Sequence, residues 1–513
     1  MRGAHLCSLF LCAVLLVSAQ EFQELQKKAS EFTLPNGLHF IVLERHDSPV
    51  VSFHTVVNAG SIDDPRGETG IAHMFEHLAF KGTETIGTRD WPEEKKELDG
   101  VEEAYDRMQA EANKGGKADQ MRVDTLRSQL RVAIDGANRQ AASGEYRRTM
   151  EENGGIDMSA GVSADATQFA CSLPSNRAEL WFLMESQRLL HPVFREFYRE
   201  REAVLEEYRQ RVQGNPQGRL AAELLSDAFR AHPYGQPSGG WPSDIANLRR
   251  AHAQAFFDRY YVPGNITVAI VGDITGAEAK RLAERYFGPM AAKPIPHPAI
   301  TEEPPQNGPK SQVLEMPGPQ LMAIGYKRPS QRDKDNLVFD LIEILLSQGR
   351  TGLLYGELVR DKRLAQQAVA IAAAPDGHYP NMFVFLLMPA PGRTVEENQR
   401  AIEDLLGRLK TAPLDAQLLA RAKAQGRANL IRRMVGNRDL AAMLASESAT
   451  YGDWRGLFTS MDDLNRVKPE DVQRVANRYF VATGRTMVYT VLPGHSDAPL
   501  PAKAAERRPG GAQ

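Results

Sequence analysis

Arg259-Tyr260-Tyr261-Val262-Pro263-Gly264-Asn265, followed by ITVAIVGDI, has a counterpart 219 residues later: Arg478-Tyr479-Phe480-Val481-Ala482-Thr483-Gly484-Arg485, followed by TMVYTVLPG. In each copy a charged helical pattern runs up to the aromatic pair, a glycine marks the turn, and a β-rich run follows. The matching position near the end of each of two long stretches indicates a duplication. Between the copies lies the proline-rich stretch Phe287–Pro319, which reads as a linker. The first half opens with strand alternation in FTLPNGLHFIVLER, with Asn36-Gly37 as a hairpin turn, and continues in VVSFHTVVNAG. The second half opens with the strand-like SQVLEM and LMAIGYKR. Each half then turns helical and returns to a strand. The expected fold is therefore α+β: two homologous α/β-sandwich halves, over residues 20–286 and 320–495, joined by the 287–319 linker.

One segment of the first half stands apart. Asp90–Tyr146 is dense in Glu, Lys, Arg, Gln and Ala, and is broken at Lys114-Gly115-Gly116-Lys117. It reads as a helical hairpin inserted over about residues 90–146, most simply a solvated surface insertion. Residues 496–513, rich in Pro, Ala, Gly and charge, read as a disordered tail.

The chain of 513 residues is 25% charged and 42% hydrophobic, ordinary for a folded protein, and long enough for two large domains. Its 62 Lys and Arg against 65 Asp and Glu leave a net charge of −3, which argues against nucleic acid as a partner. Residues 1–19 read as a cleaved signal peptide: Arg2 precedes the apolar run Leu6–Val17, and Val17-Ser18-Ala19 suits a signal peptidase. The apolar run is too short to span a bilayer, and no later segment has the length for a membrane helix. Cleavage would remove Cys7 and Cys12 and leave Cys171 without an internal disulfide partner. The expected setting is the bacterial periplasm or the secreted fraction.

The sharpest chemical signal is His73-Met74-Phe75-Glu76-His77. Residues four apart share a helix face, so His73 and His77 can hold one metal ion. Glu76, on the same side, can take a proton from a water at that metal; the arrangement is H-x-x-E-H, the inverted zincin motif. Gly67 and Gly70 suit the turn entering the helix. A catalytic zinc needs three protein ligands, so a carboxylate must come from elsewhere. The best candidate region is Glu200–Glu207, where Glu200 and Glu207 lie two turns apart on one helix face.

Three blocks, GETGIAHMFEHLAFKGT, Gly154-Gly155 leading into SAGVSADATQF, and EREAVLEEYRQ, resemble the pitrilysin/insulinase family of metallopeptidases, in the half-length branch that includes mitochondrial processing peptidase. The resemblance spans Glu24 to Pro493. It implies one Zn2+ per chain, held by His73, His77 and Glu207, with Glu200 supporting the site and Glu76 as catalytic base. It also implies that Ser159 and Ala160 lie in a strand whose free edge pairs with an extended peptide substrate; relatives usually carry Asn-Ala there. Family enzymes further use an Arg and a Tyr seven apart in the second half. Arg360 is present as a substrate-binding candidate, but Gln367 stands where the Tyr is expected, and Tyr355 after Arg350 has the wrong spacing. Two expectations follow for partners: a homologous subunit supplies the Arg/Tyr pair, or the chain is a homodimer with weakened catalysis. The expected function is an exported zinc endopeptidase. The rival is a non-proteolytic structural or binding subunit of the same fold, which the altered Arg/Tyr segment favours.

Overall fold

The computed structural model describes residues 24–494; the signal-peptide and tail assignments lie outside these residues. The fold is α+β. Eleven strands among the described residues form two sheets. The first half contributes β1 (Ala29–Thr33), β2 (His39–Glu44), β3 (Val50–Val57), β4 (Ile156–Val162), β5 (Thr167–Pro174) and β6 (Ile266–Gly272). The second contributes β7 (Lys310–Glu315), β8 (Met322–Arg328), β9 (Ala365–Ala374), β10 (Asn381–Pro389) and β11 (Arg485–Val491).

The first sheet runs β1-β2-β6-β3-β5-β4 and the second β7-β11-β8-β10-β9. Apart from β1, the two orders correspond strand for strand. The repeated strands β6 and β11 occupy the same place, each parallel to one neighbour (β2, β7) and antiparallel to the other (β3, β8). Both bounds of β11 lie 219 residues beyond those of β6, the offset of the sequence repeat. Lys310–Glu315 falls in the stretch assigned to the linker, yet it forms edge strand β7. The glycines and prolines on either side of KSQVLE dominate that window's composition, while the strand itself gains its ladder from β11.

Each sheet packs one face against its own half. Behind β2, β3, β5 and β6 stand Ile71–Leu78, Ala178–Leu190, Arg250–Tyr260 and Gly276–Phe287, with Phe53, Phe75, Trp181, Phe182 and Phe287 buried between the layers. The opposite faces are covered reciprocally. Helix Asn437–Tyr451 of the second half lays Leu440, Ala441 and Leu444 on Ile41, Leu43, Val56, Ala269 and Val271 of the first sheet. Helix Pro216–Ala228 of the first half lays Leu220, Leu224 and Ala228 on Leu314, Ala323, Val384 and Val488 of the second. The halves thus exchange helices, and the two clusters on these opposite faces each contain residues of both halves, while the two larger cores stay within one half each. Each fully buried aliphatic side chain here contributes about 1.5–3 kcal/mol.

The inserted segment is a helical hairpin, Trp91–Ala112 and Gln120–Gln140, turned at Gly115–Lys117. It is not merely solvated. Glu94 is fully buried against Arg195, and the rings of Tyr105 and Tyr198 stack at 5.4 Å.

Candidate metal centre

The helix Ile71–Leu78 begins where the chain must turn sharply. Gly67 and Gly70 have φ of +82° and +90°, a region open to glycine at little cost. A side chain on Gly70 would also meet the Gly239 carbonyl at 2.7 Å, so the helix start is pressed against the 237–241 loop. The Asp64 carboxylate accepts from the Gly70 and Ala72 amides at 2.7 and 3.0 Å, satisfying donors that the first helical turn leaves open. Ile71, Ala72, Met74, Phe75 and Leu78 face the core, where Phe75 meets Phe194, Phe257 and Tyr261. That apolar stripe turns His73, Glu76 and His77 together onto the other face.

The helix Phe197–Tyr208 runs past this face and brings the distant carboxylates to it. Glu207 Oε1 lies 3.6 Å from His73 Nε2, and Glu207 Oε2 lies 3.4 Å from His77 Nε2. Ligand bonds of 2.0–2.2 Å in a tetrahedron place donors roughly 3.3–3.6 Å apart, so the spacing of each imidazole from one oxygen of the Glu207 carboxylate is compatible with a shared zinc ion. Glu200 Oε2 is 3.3 Å from His77 Nδ1, which leaves Nε2 to face the cavity. Among the described residues, His73, Glu76 and His77 are the one group of three or more such side chains whose ligand atoms all lie within 4.8 Å of one another. The helix Asn336–Ser347 follows β8 as the histidine helix follows β3, and it carries no histidine.

The electrostatics suit metal binding. Burial pushes the His73 imidazole down to about 4, so it is neutral with a lone pair free at neutral pH. Burial also pulls on His77, but the Glu200 hydrogen bond and the Glu76 and Glu207 carboxylates outweigh it and hold its pKa above the ordinary value. Burial raises Glu76, as a general base working near neutral pH requires. Glu200, although partly buried, is held down to about 2 by His77 and Lys81.

A cavity of about 360 Å3 opens over these groups, lined also by Ala160, Gly161, Val204, Tyr208 and Arg211. Strand β4 forms its rim, and as the last strand of its sheet it leaves one backbone edge without a neighbouring strand. Across β4 a second cavity of about 480 Å3 is lined by His54, Ser159, Gln168, Arg438 and Asp439. Ala160 faces both cavities, whereas the Ser159 hydroxyl accepts from Arg438 Nη2 at 3.1 Å.

Arg360 is not brought to this cavity. It is exposed and pairs with its neighbour Asp361 at 2.7 Å, and Gln367 lies exposed on edge strand β9. Three residues at or near the site escaped the sequence reading. Lys81 bridges Glu196 and Glu200, Arg211 Nη1 lies 2.6 Å from Glu207 Oε1, and Arg438 reaches Ser159 from the other half. Only Arg211 left a signal, its i,i+4 spacing from Glu207.

A duplicated α+β fold with an H-x-x-E-H helix and a distant glutamate defines an inverzincin peptidase scaffold. A family model described as insulinase (peptidase family M16) matches residues 40–108, and one described as the peptidase M16 inactive domain matches residues 247–425. The two matches and the relatives below make the chain similar to the insulinase family, in its half-length branch. It is 27% identical over 490 residues to the zinc protease PqqE of Helicobacter pylori, covering 93% of this chain and 97% of that one. It is 22% identical over 456 residues to a probable mitochondrial-processing peptidase subunit beta of Arabidopsis thaliana, covering 87% and 75%. The crystal structure of a protease from Helicobacter pylori superposes with a TM-score of 0.76 at 26% identity, covering 90% of this chain and 99% of that one.

Proposed function

We propose that the chain is an exported zinc endopeptidase that hydrolyses extended peptides or unfolded segments. The observation that carries this reading is the convergence of His73 and His77 on the Glu207 carboxylate, at 3.6 and 3.4 Å from its two oxygens, with Glu76 lining the same cavity. His73, His77 and Glu207 would hold one zinc ion, which would supply the Lewis acidity that makes water nucleophilic near neutral pH. Glu76 takes a proton from the attacking water and returns it to the leaving amine. The unpaired edge of β4 offers backbone donors and acceptors to an extended substrate, which favours shape over sequence.

The second half's Arg360 stands outside the cavity and Gln367 offers no phenol. On this reading a homologous partner subunit carries the Arg/Tyr pair, and a homodimer with weakened catalysis is the alternative. The leader at residues 1–19 supports export to the periplasm or beyond. A non-proteolytic binding subunit is the second reading, favoured by the same Gln367.

The test is cleavage of a mixed peptide library by the purified chain, with and without a chelator. Glu76→Gln should lower turnover by at least ~100-fold with zinc still bound. Undiminished cleavage by that variant would remove Glu76 from its role. Zinc binding without cleavage by the chain alone would direct the search to its partner.

A further inference from the structure

A line of polar contacts runs from the inserted hairpin to the metal centre. Ser143, just past the hairpin, donates from Oγ to Glu196 Oε1 at 2.8 Å. Glu196 Oε2 accepts from Lys81 Nζ at 3.0 Å, and the same ammonium donates to Glu200 Oε1 at 2.6 Å. The other oxygen of Glu200 meets His77 Nδ1. Lys81 is therefore clamped between two carboxylates at the start of the glutamate helix.

Its backbone is held as well. The Lys81 carbonyl accepts from Arg195 Nη1 at 2.6 Å, and the same guanidinium donates to the Thr83 and Ile86 carbonyls and to Glu94 of the hairpin. Arg195 and Glu94 are only 1% and 0% exposed. Glu196 sits at φ +56°, a left-handed conformation that a side chain tolerates only when its surroundings enforce it. An insertion that merely covered surface would need neither a fully buried ion pair nor this strained residue at its junction with the ligand-bearing helix.

We propose that Lys81 is a positioning residue of the zinc centre, orienting Glu200 and through it His77, and that the 91–140 hairpin anchors it. This rests on the zinc reading of the site. The ammonium draws Oε1 of Glu200 to one side, so that Oε2 is presented to His77 Nδ1 and fixes which ring nitrogen faces the metal. The hairpin fixes the ammonium in turn through Ser143, Glu196 and the Glu94–Arg195 pair.

Zinc affinity, measured by competition with a chromogenic chelator on metal-stripped full-length protein, tests this without any assay of cleavage. Lys81→Met is expected to weaken zinc binding by up to about 10-fold, the low end of the range for loss of a group in direct contact with a metal ligand, because Lys81 acts one contact further out, through Glu200. Lys81→Arg, which keeps the charge and the donors, should recover most of that loss. The metal-free melting curve of each variant separates a local effect from unfolding. Zinc affinity equal to wild type in Lys81→Met, or no recovery in Lys81→Arg, would overturn the role of Lys81. Should Lys81→Met not fold, Ser143→Ala removes a single hydrogen bond, and zinc affinity unchanged in that variant would sever the hairpin from the site. Wild-type protein that binds zinc yet cleaves no peptide would move the proposed function to a missing partner and leave this inference standing, whereas wild-type protein that binds no zinc would overturn both.

Discussion

His73 and His77 share one helix face, yet their surroundings prepare them differently: desolvation keeps one neutral, while Glu200 directs the other. The same logic applies to His54 beside β4, which is buried with Nδ1 unbonded and Nε2 meeting Gln168 Oε1 at 3.0 Å. Burial pushes its pKa down to about 4 from 6.5. Between these values the unfolded chain binds a proton that the folded one refuses, so stability from neutral His54 is present above pH 6.5 and lost as pH falls towards 4. Replacing His54 with Gln should narrow the stability gap to wild type by about 2 kcal/mol between pH 7 and 4.5, read from urea melts at each pH. A gap that stays constant with pH would show that His54 titrates normally. Legibility at this scale follows distance along the chain. His73, Glu76 and His77 could be read because one helical turn joins them. Glu207 is too far in sequence for spacing to find, and its choice as ligand within Glu200–Glu207 came from the family pattern. Lys81 was invisible because its partners, Glu196 and Glu200, approach only through loop packing.

Among the elements, the hairpin departs furthest from its sequence appearance. Its composition suggests a fully solvated pair of helices, and most of its charges are indeed exposed. Two are buried, Glu94 and Glu111; Glu94 is covered by Arg195, and composition averages such exceptions away. Breaking that pair with Glu94→Gln should cost about 3–5 kcal/mol, because it leaves a buried guanidinium without its counter-charge. The exposed Lys95–Asp99 pair on the same helix, at 2.7 Å, should cost less than about 1 kcal/mol when broken. Equal losses in denaturant melts of the two variants would mean that the hairpin is not seated as described. Strand β4 illustrates the opposite case. Its place at the sheet edge follows from sheet order, which no local pattern encodes, and only the resemblance anticipated it.

Across the whole molecule, the duplication was legible because the repeated aromatic-turn-strand unit forms the corresponding strand of each sheet. The helix exchange was not, because amphipathic periodicity tells which face of Asn437–Tyr451 is apolar and nothing about which sheet it covers. Leu444, fully buried against the first sheet, should cost about 2–5 kcal/mol when replaced by Ala. Since the two helix-exchange clusters draw on both halves, urea unfolding followed by tryptophan fluorescence and by circular dichroism should give one coincident transition. Two separated transitions would indicate that the exchanged helices contribute little. The exchange also sets an order of events during synthesis. The face of the first sheet formed by Ile41, Leu43, Val56, Ala269 and Val271 finds its cover only when residues 434–461 have emerged. A nascent chain halted before Asn437 displays that apolar face to the cell, so the first half of this protein is the part a chaperone would hold longest.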